Sequence, residues 1–374
     1  MKDKVKYIVI ITLFALIIGG FFVLNLILPD KDISYDERRP LQQFPKITWE
    51  QVESTKFMTN FDKYSLDQFA FRDSWRSIKA FWLYNVFQQK DNNGVYQVDG
   101  NVSKLQYPLK EQSIVNATKK FNKIMQKYFP DANVFYSMIP DKNYFMAKPN
   151  GYLDLDYDKL QELLAEGLDE NMTYINILGD LKASDYYLTD HHWSQEKIVD
   201  VAKTIAKDMG FISAIENLTY DKNTIDGFKG VYGGQYPLPL DAESLVYLTN
   251  DLMKNWTVKV MDSKLNMVES SIYAVDKFTG TDPYDVFLHG ATPLVTIENK
   301  NNTSGKELFV FRDSFSSSLA PLLVEGYSKV TLIDIRYIGA EFLGDYVDFG
   351  KGNDVLFIYG TAVLNESAML KGLK

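Results

Sequence analysis

From Tyr7 to Leu28 the chain reads "YIVIITLFALIIGGFFVLNLIL", an uncharged and almost wholly apolar run. About 20 apolar residues at 1.5 Å rise cross the hydrocarbon layer of a bilayer, whereas a signal-peptide core runs to about 7–15. The run therefore predicts a transmembrane signal anchor over 7–28. No small-x-small cleavage site follows, because "LNLILPD" is bulky where a peptidase needs Ala or Gly. Lys2, Lys4 and Lys6 outnumber Asp3 ahead of the span, which predicts a cytoplasmic tail of residues 1–6 and the bulk of the chain outside. The alternative is a long signal peptide that is removed, and either reading puts the remainder outside the cytoplasmic membrane.

Past the span the periodicity changes twice. Residues 30–56 are charged and punctuated by proline, the pattern of a membrane-proximal connector. From 61 to 87 the pattern is helical, with Trp75, Ile78, Lys79, Trp82 and Val86 recurring on one face and Asp73 or Ser74 placed to cap the start. Farther on, short apolar runs at 132–140, 172–177, 307–311, 329–335 and 354–360 alternate with helical patterns around 112–127, 157–168, 194–209 and 316–325. Strands alternating with helices predict a mostly parallel sheet covered on both faces. Residues 211–305 break the rhythm. There "NWTVKVMDS" and "SIYAV" predict hairpin strands in a β-containing insertion. The expected organisation is a connector and helix over 29–95 and one α/β domain over 96–374.

Composition narrows the chemistry. The 374 residues carry a formal charge of −9, so phosphate backbones are repelled and nucleic acid is not an expected partner. Cysteine is absent, which removes disulfides, thiolate catalysis and Cys-ligated zinc. The 24 tyrosines and 5 tryptophans could stack on sugar rings, although aromatic residues ordinarily fill cores.

The tetrapeptide FRDS occurs twice, at 71–74 and 311–314. The first copy opens a helical pattern, and its serine reads as a cap. The second follows the apolar run "ELFVF" and precedes a serine-rich helix start. On a strand-to-helix turn a serine can present Oγ at the C-terminal strand edge with its own N–H facing a developing oxyanion. Ser314 therefore has two readings, a turn or cap residue and a nucleophile. Pro321 fits the following helix only in its first turn or at a kink.

A serine nucleophile needs a base. The chain has three histidines, His191, His192 and His289. In "LTDHHWSQEK" Asp190 and His192 stand at i and i+2, so in an extended segment they share a side. The carboxylate could then fix Nδ1–H and leave Nε2 for the Ser314 proton. On the same argument His191 faces elsewhere as a structural residue, and Ser194 caps the helix with the face Ile198, Val201, Ala202 and Ile205. Lys142 reads as a surface or cap lysine and Asp313 as a turn residue bonding the local backbone. Arg312 reads as solvent-exposed, with Asp190 or an anionic glycan as the possible alternative partners. His289 reads as a packed or hydrogen-bonded histidine.

"LTDHHW" at 188–193 together with "FVFRDSF" at 309–315 resembles the DHHW family of bacterial cell-surface proteins, which is SGNH-hydrolase-like and related to the alginate O-acetylation proteins. Further matching pieces are "DERRPLQQFP", "FAFRDSW", "IPDK" at 139–142, "YDVFLHGATP" at 284–293 and "DIRYI" at 334–338. The resemblance implies an SGNH-like three-layer α/β/α domain outside the membrane and a triad of Ser314, His192 and Asp190. It also implies transfer or hydrolysis of acyl, chiefly acetyl, groups on cell-surface polysaccharide, often beside a membrane-bound O-acyltransferase. Beside that triad, Arg312, Asp313, Lys142 and His191 are the candidate supporting residues.

The sequence departs from that pattern at three points. Arg312 replaces the glycine before Asp-Ser, the acid–base spacing is D-x-H, and Ala291 follows Gly290 where relatives carry Asn. Backbone N–H groups of Ser314 and Gly290 are then the oxyanion donors expected. No cofactor and no metal is expected. A two-metal phosphoesterase would need further ligands, and Asp154-x-Asp156 follows no apolar strand. The alternative function is a non-catalytic glycan- or partner-binding module of the same fold.

Overall fold

The computed structural model describes residues 2–350 and 353–373. They form two compact units. One comprises the chain through Asn92 with Gly234–Pro239, and the other comprises Asn93–Gly233 and the chain from Leu240 onward.

The first unit opens with the helix Lys2–Ile27. It is the one described helix long and apolar enough to cross a membrane, and its apolar stretch is left exposed. The helices Lys56–Asp67 and Arg72–Phe81 follow, the second prolonged by a π-helical turn, Trp82–Val86. Neither Asp73 nor Ser74 caps the second helix, contrary to expectation. Phe71 precedes it in the left-handed region, and both residues fall inside its first turn. Arg72 braces this unit, its Nη2 lying 2.8 Å from Glu37 Oε2. Arg39 pairs with Asp67 through two contacts of 2.8 and 2.6 Å.

The second unit is built on eight strands: β1 Asn133–Ile139, β2 Met172–Tyr174, β3 Trp256–Met261, β4 Met267–Ser270, β5 Leu294–Asn299, β6 Glu307–Arg312, β7 Lys329–Ile333 and β8 Asp354–Gly360. Their order is β4-β3-β5-β7-β6-β8-β1-β2. The pairs β7-β6, β6-β8, β8-β1 and β1-β2 are parallel, as the alternation of strands and helices predicts. β6 and β8 lie in the middle and are almost wholly buried, so their residues read as continuous apolar runs.

Each face of the sheet has its own core. On one side Ile114, Phe121 and Ile124 of the helix Glu111–Tyr128 and Leu160 and Leu164 of the helix Tyr157–Gly167 pack on Phe309, Phe311 and Phe357. On the other, Val201, Ala202 and Ile205 of the helix Val199–Asp208 pack with Val310, Leu356 and Ile358. Alternate residues of β6 therefore serve opposite layers, the period-2 logic of a strand.

The segment 211–305 differs from expectation. β3, β4 and β5 do not form a separate insertion sheet. They extend the main sheet antiparallel, β5 against β7 and β3 against β5. "SIYAV" is no strand and makes one isolated bridge, Tyr273 to Phe287. Asp221–Phe228 and Glu243–Thr249 form a two-stranded hairpin apart from the sheet.

Candidate functional site

Ser314 lies two residues beyond the end of β6, and Asp313 shapes the turn that carries it. Its Oδ1 accepts from Phe315 N at 3.1 Å, and its Oδ2 accepts from Gly360 N, at the end of β8, at 2.6 Å. This is the backbone role expected of Asp313, and burial raises its pKa. The helix Ser316–Leu319 starts immediately, and Pro321 follows in a 3-10 turn, where its missing N–H is tolerated.

The DHH segment is held in a loop closed by the Tyr186–Trp193 bridge and by Tyr187 N donating to His192 O at 3.0 Å. Buried Trp193 ties this loop to the serine turn. Its Nε1 donates to Phe315 O at 3.1 Å and to Ser318 Oγ at 3.0 Å. Two segments far apart in sequence thereby meet at the C-terminal edge of the parallel strands, where open α/β sheets gather reactive groups.

The structure brings Asp190, His192 and Ser314 together. His192 Nδ1 lies 2.7 Å from Asp190 Oδ1, and His192 Nε2 lies 2.8 Å from Ser314 Oγ. A carboxylate accepts only, so Nδ1 carries the proton and Nε2 is left to accept from the serine hydroxyl. Asp190 is itself clamped, since Oδ1 accepts from His192 N at 3.0 Å and Oδ2 from Val231 N at 2.7 Å. The His192 ring is stacked face to face on Tyr284, with centroids 3.7 Å apart and planes within 2°. Tyr284 is fixed in turn by donating to Ser318 Oγ at 2.8 Å. Asp190 and His192 are buried, whereas Ser314 is partly open to solvent.

Four expectations fail here. His191 does not face elsewhere. Its ring lies 3.8 Å from that of His192, and its Nδ1 is 3.3 Å from Asp190 Oδ1. The cause is the closed loop, which bends at 190–192 instead of running extended, so the i, i+2 rule does not separate neighbours. The backbone N–H of Gly290 donates to Phe287 O at 3.1 Å and so is not presented to an oxyanion. Arg312 is fully buried, not solvent-exposed, and donates to Ser317 Oγ at 2.8 Å, Asp313 O at 3.3 Å and Thr292 O at 3.4 Å. Burial lowers its pKa, with Asp334 and Asp313 opposing. Ser194 makes no side-chain cap. It precedes a short 3-10 turn, and Ile198 is the cap residue of the helix Val199–Asp208.

Lys142 is also misplaced by the surface reading. It is 1% exposed, and Nζ donates to the carbonyls of Val102, Tyr187 and Leu188 at 2.6, 2.8 and 3.1 Å. Three acceptors match the three N–H groups of an ammonium, and two of them lie on the chain leading into Asp190. Burial pushes its pKa down to about 7, with Glu243 and Asp190 opposing. Lys142→Met removes the side-chain donor of the buried Val102 and Tyr187 carbonyls, whereas Leu188 O keeps Val102 N at 2.8 Å. At about 1–3 kcal/mol for each unsatisfied group, a loss of a few kcal/mol is expected in urea unfolding. The deficit should widen from pH 7 to 10. In that window the unfolded chain binds the Lys142 proton more tightly than the folded one, so the wild type gains stability as pH rises.

His289 is hydrogen-bonded, Nε2 lying 2.7 Å from Ser270 Oγ. Tyr284 and Trp193 were given no role by the sequence. Both lie within motifs that carry the family resemblance, but only the fold shows that one stacks on His192 and the other bridges the loops. The ligand atoms of Asp190, His191 and His192 are close enough to surround a cation. Asp190 and His192 already spend their inner atoms on each other and on Ser314 and Val231, which leaves that trio little coordinating capacity.

A mostly parallel sheet with a core on each face, and Asp190, His192 and Ser314 at its C-terminal strand edge, defines a three-layer α/β protein. Within that class, residues 170–333 match the family model described as DHHW protein, the family the motifs resemble. The fold is shared with a DHHW family protein from Eubacterium siraeum, 23% identical over 73% of this chain and 93% of the other, with a TM-score of 0.61. It is shared equally with PatB1 of Bacillus cereus, 19% identical over 73% and 97% of the two chains, with a TM-score of 0.59. A looser similarity extends to the O-acetyltransferase domain of Pseudomonas putida AlgJ, 10% identical over 73% and 93%, with a TM-score of 0.41. No curated protein matches.

Proposed function

We propose that this protein is a membrane-anchored, extracytoplasmic O-acyltransferase or esterase that acts on acyl groups of cell-surface polysaccharide through a serine acyl-enzyme. The observation that carries the reading is the relay of two contacts, 2.7 Å from Asp190 to His192 and 2.8 Å from His192 to Ser314.

In this mechanism Ser314 Oγ attacks the acyl carbonyl carbon while His192 Nε2 takes its proton, and Asp190 stabilises the imidazolium. The tetrahedral intermediate collapses as the donor oxygen leaves with that proton, and an ester on Ser314 remains. A sugar hydroxyl or water then gives its proton to His192, attacks the ester and frees the serine. The Ser314 N–H is the backbone donor to the oxyanion. The charge bias across the apolar helix, with Lys2, Lys4 and Lys6 before it, supports an outward-facing domain. A membrane-bound O-acyltransferase that exports the acyl group is the partner the family resemblance suggests.

The engaged Gly290 N–H favours a second reading, an SGNH-like module that binds glycan without turning it over. A serine-directed fluorophosphonate separates the two. Labelling of the wild type and not of Ser314→Ala is expected. Equal labelling of both, or of neither, sinks the catalytic reading. Incubation with an acetyl ester and candidate oligosaccharides then distinguishes transfer, which yields acetylated sugar, from hydrolysis, which yields acetate alone.

A further inference from the structure

The helix Arg72–Phe81 and its π-helical extension Trp82–Val86 carry their apolar side outward. Phe71, Trp75, Ile78, Phe81, Trp82 and Val86 are 44–60% exposed and lie along one stripe at helical spacing. The other side carries Arg72 and Arg76, whose guanidinium groups reach Glu37 at 2.8 and 3.5 Å, and the fully buried Ala80. A helix on a water-facing surface distributes these residues the other way round. Single exposed apolar residues are ordinary, but a contiguous stripe with two tryptophans marks an interaction surface.

The apolar helix Lys2–Ile27 indicates what covers the stripe. Phe21 stacks on Phe69 with centroids 5.6 Å apart and meets Trp75 at the same distance. Asn25 Oδ1 accepts from Ala70 N at 2.8 Å. Phe21 precedes the end of the apolar run at Leu28 by roughly 10 Å along a helix axis. Trp75 is therefore held at the depth where in-plane amphipathic helices rest, about 5–10 Å into the headgroup–acyl boundary. Indole rings favour that boundary. Lys79, exposed at the stripe's edge, can lay its stem along the apolar side and lift its ammonium to lipid phosphates.

We infer that residues 71–86 form an in-plane membrane helix, with the stripe seated in the leaflet at the C-terminal end of the span. This rests on the reading of residues 7–28 as a membrane anchor, and its partner is the lipid surface itself.

The absence of cysteine makes single spin labels clean. The full chain, carrying a label at Ile11→Cys, Ile78→Cys, Trp82→Cys or Lys254→Cys, is reconstituted in phosphatidylethanolamine–phosphatidylglycerol vesicles. Collision rates with oxygen and with a water-soluble nickel chelate are compared. Positions 78 and 82 are exposed, so the substitutions remove no core contact. The expected result is an oxygen-to-nickel ratio at 78 and 82 several-fold above that at 254 and approaching that at 11. Ratios at 78 and 82 equal to that at 254, with 11 still in lipid, overturn the in-plane helix and leave the anchor standing. A water-like ratio at 11 overturns both.

Discussion

Ser314→Ala and His192→Ala should each lower kcat/KM for an acetyl ester by at least about a thousandfold, while His191→Ala loses less than about tenfold. A thousandfold corresponds to about 4 kcal/mol of transition-state stabilisation, which no adjustment of surface polarity supplies. The asymmetry between the histidines follows from distance. His192 Nε2 is 2.8 Å from Ser314 Oγ and its Nδ1 is 2.7 Å from Asp190, whereas His191 only approaches Asp190, at 3.3 Å. His191 packs on the His192 ring, so its loss loosens the imidazole without removing the base. Asp190→Asn should resemble the His192 variant, because an amide could present its N–H to Nδ1 and turn the tautomer the wrong way. Ester hydrolysis by the full-length variants in detergent, beside near-UV circular dichroism as a check of folding, measures all four. Equal losses in the two histidine variants would reverse their roles.

The relay was legible because three histidines leave few bases and because Asp190 and His192 adjoin a strongly patterned helix. The neighbourhood of His191 was not. An extended segment and a closed loop carry the same letters, and only the Tyr186–Trp193 bridge bends this one. Arg312 and Lys142 depart from a surface placement for a shared reason. A charge defaults to solvent unless enough acceptors surround it, and those acceptors come from Ser317, Thr292, Val102, Tyr187 and Leu188, which no local pattern collects. The core strands β6 and β8 declared themselves as buried apolar runs. β5 did not, since an antiparallel strand without a helix after it stands outside the alternating rhythm. The stripe from Trp75 to Val86 shows the opposite case, in which the periodicity fixed the helix correctly but could not say whether its apolar side meets protein or something else.

Gly230→Ala should lower activity about a hundredfold, although no chemistry is assigned to that residue. An added Cβ would stand 2.3 Å from Asp190 Cβ, 2.4 Å from Thr189 O and 2.5 Å from Asp190 Cα. Two of these three are backbone atoms, so no rotamer change relieves the clash and one of the two segments must move. Those segments are held together by Gly230 N donating to Thr189 Oγ1 at 2.8 Å and Val231 N donating to Asp190 Oδ2 at 2.7 Å. Thr189 is pinned as well, its hydroxyl donating to Glu243 Oε1 at 2.6 Å, so the displacement falls on Asp190 and on the tautomer it sets. Overpacking of this kind costs about 1–3 kcal/mol of stability, which a domain of this size tolerates. A misplacement of about 1 Å in the machinery costs on the order of a hundredfold in rate. The expected result is therefore a folded protein with kcat down about a hundredfold. Gly233→Ala is the control, since its new Cβ would meet only side-chain atoms of Lys229 and Thr189, at 3.0 and 3.1 Å, and it should keep most of its activity. Steady-state kinetics of both variants test this. If the two lose activity equally, the glycine stretch acts through general loop flexibility instead of through close approach to Asp190.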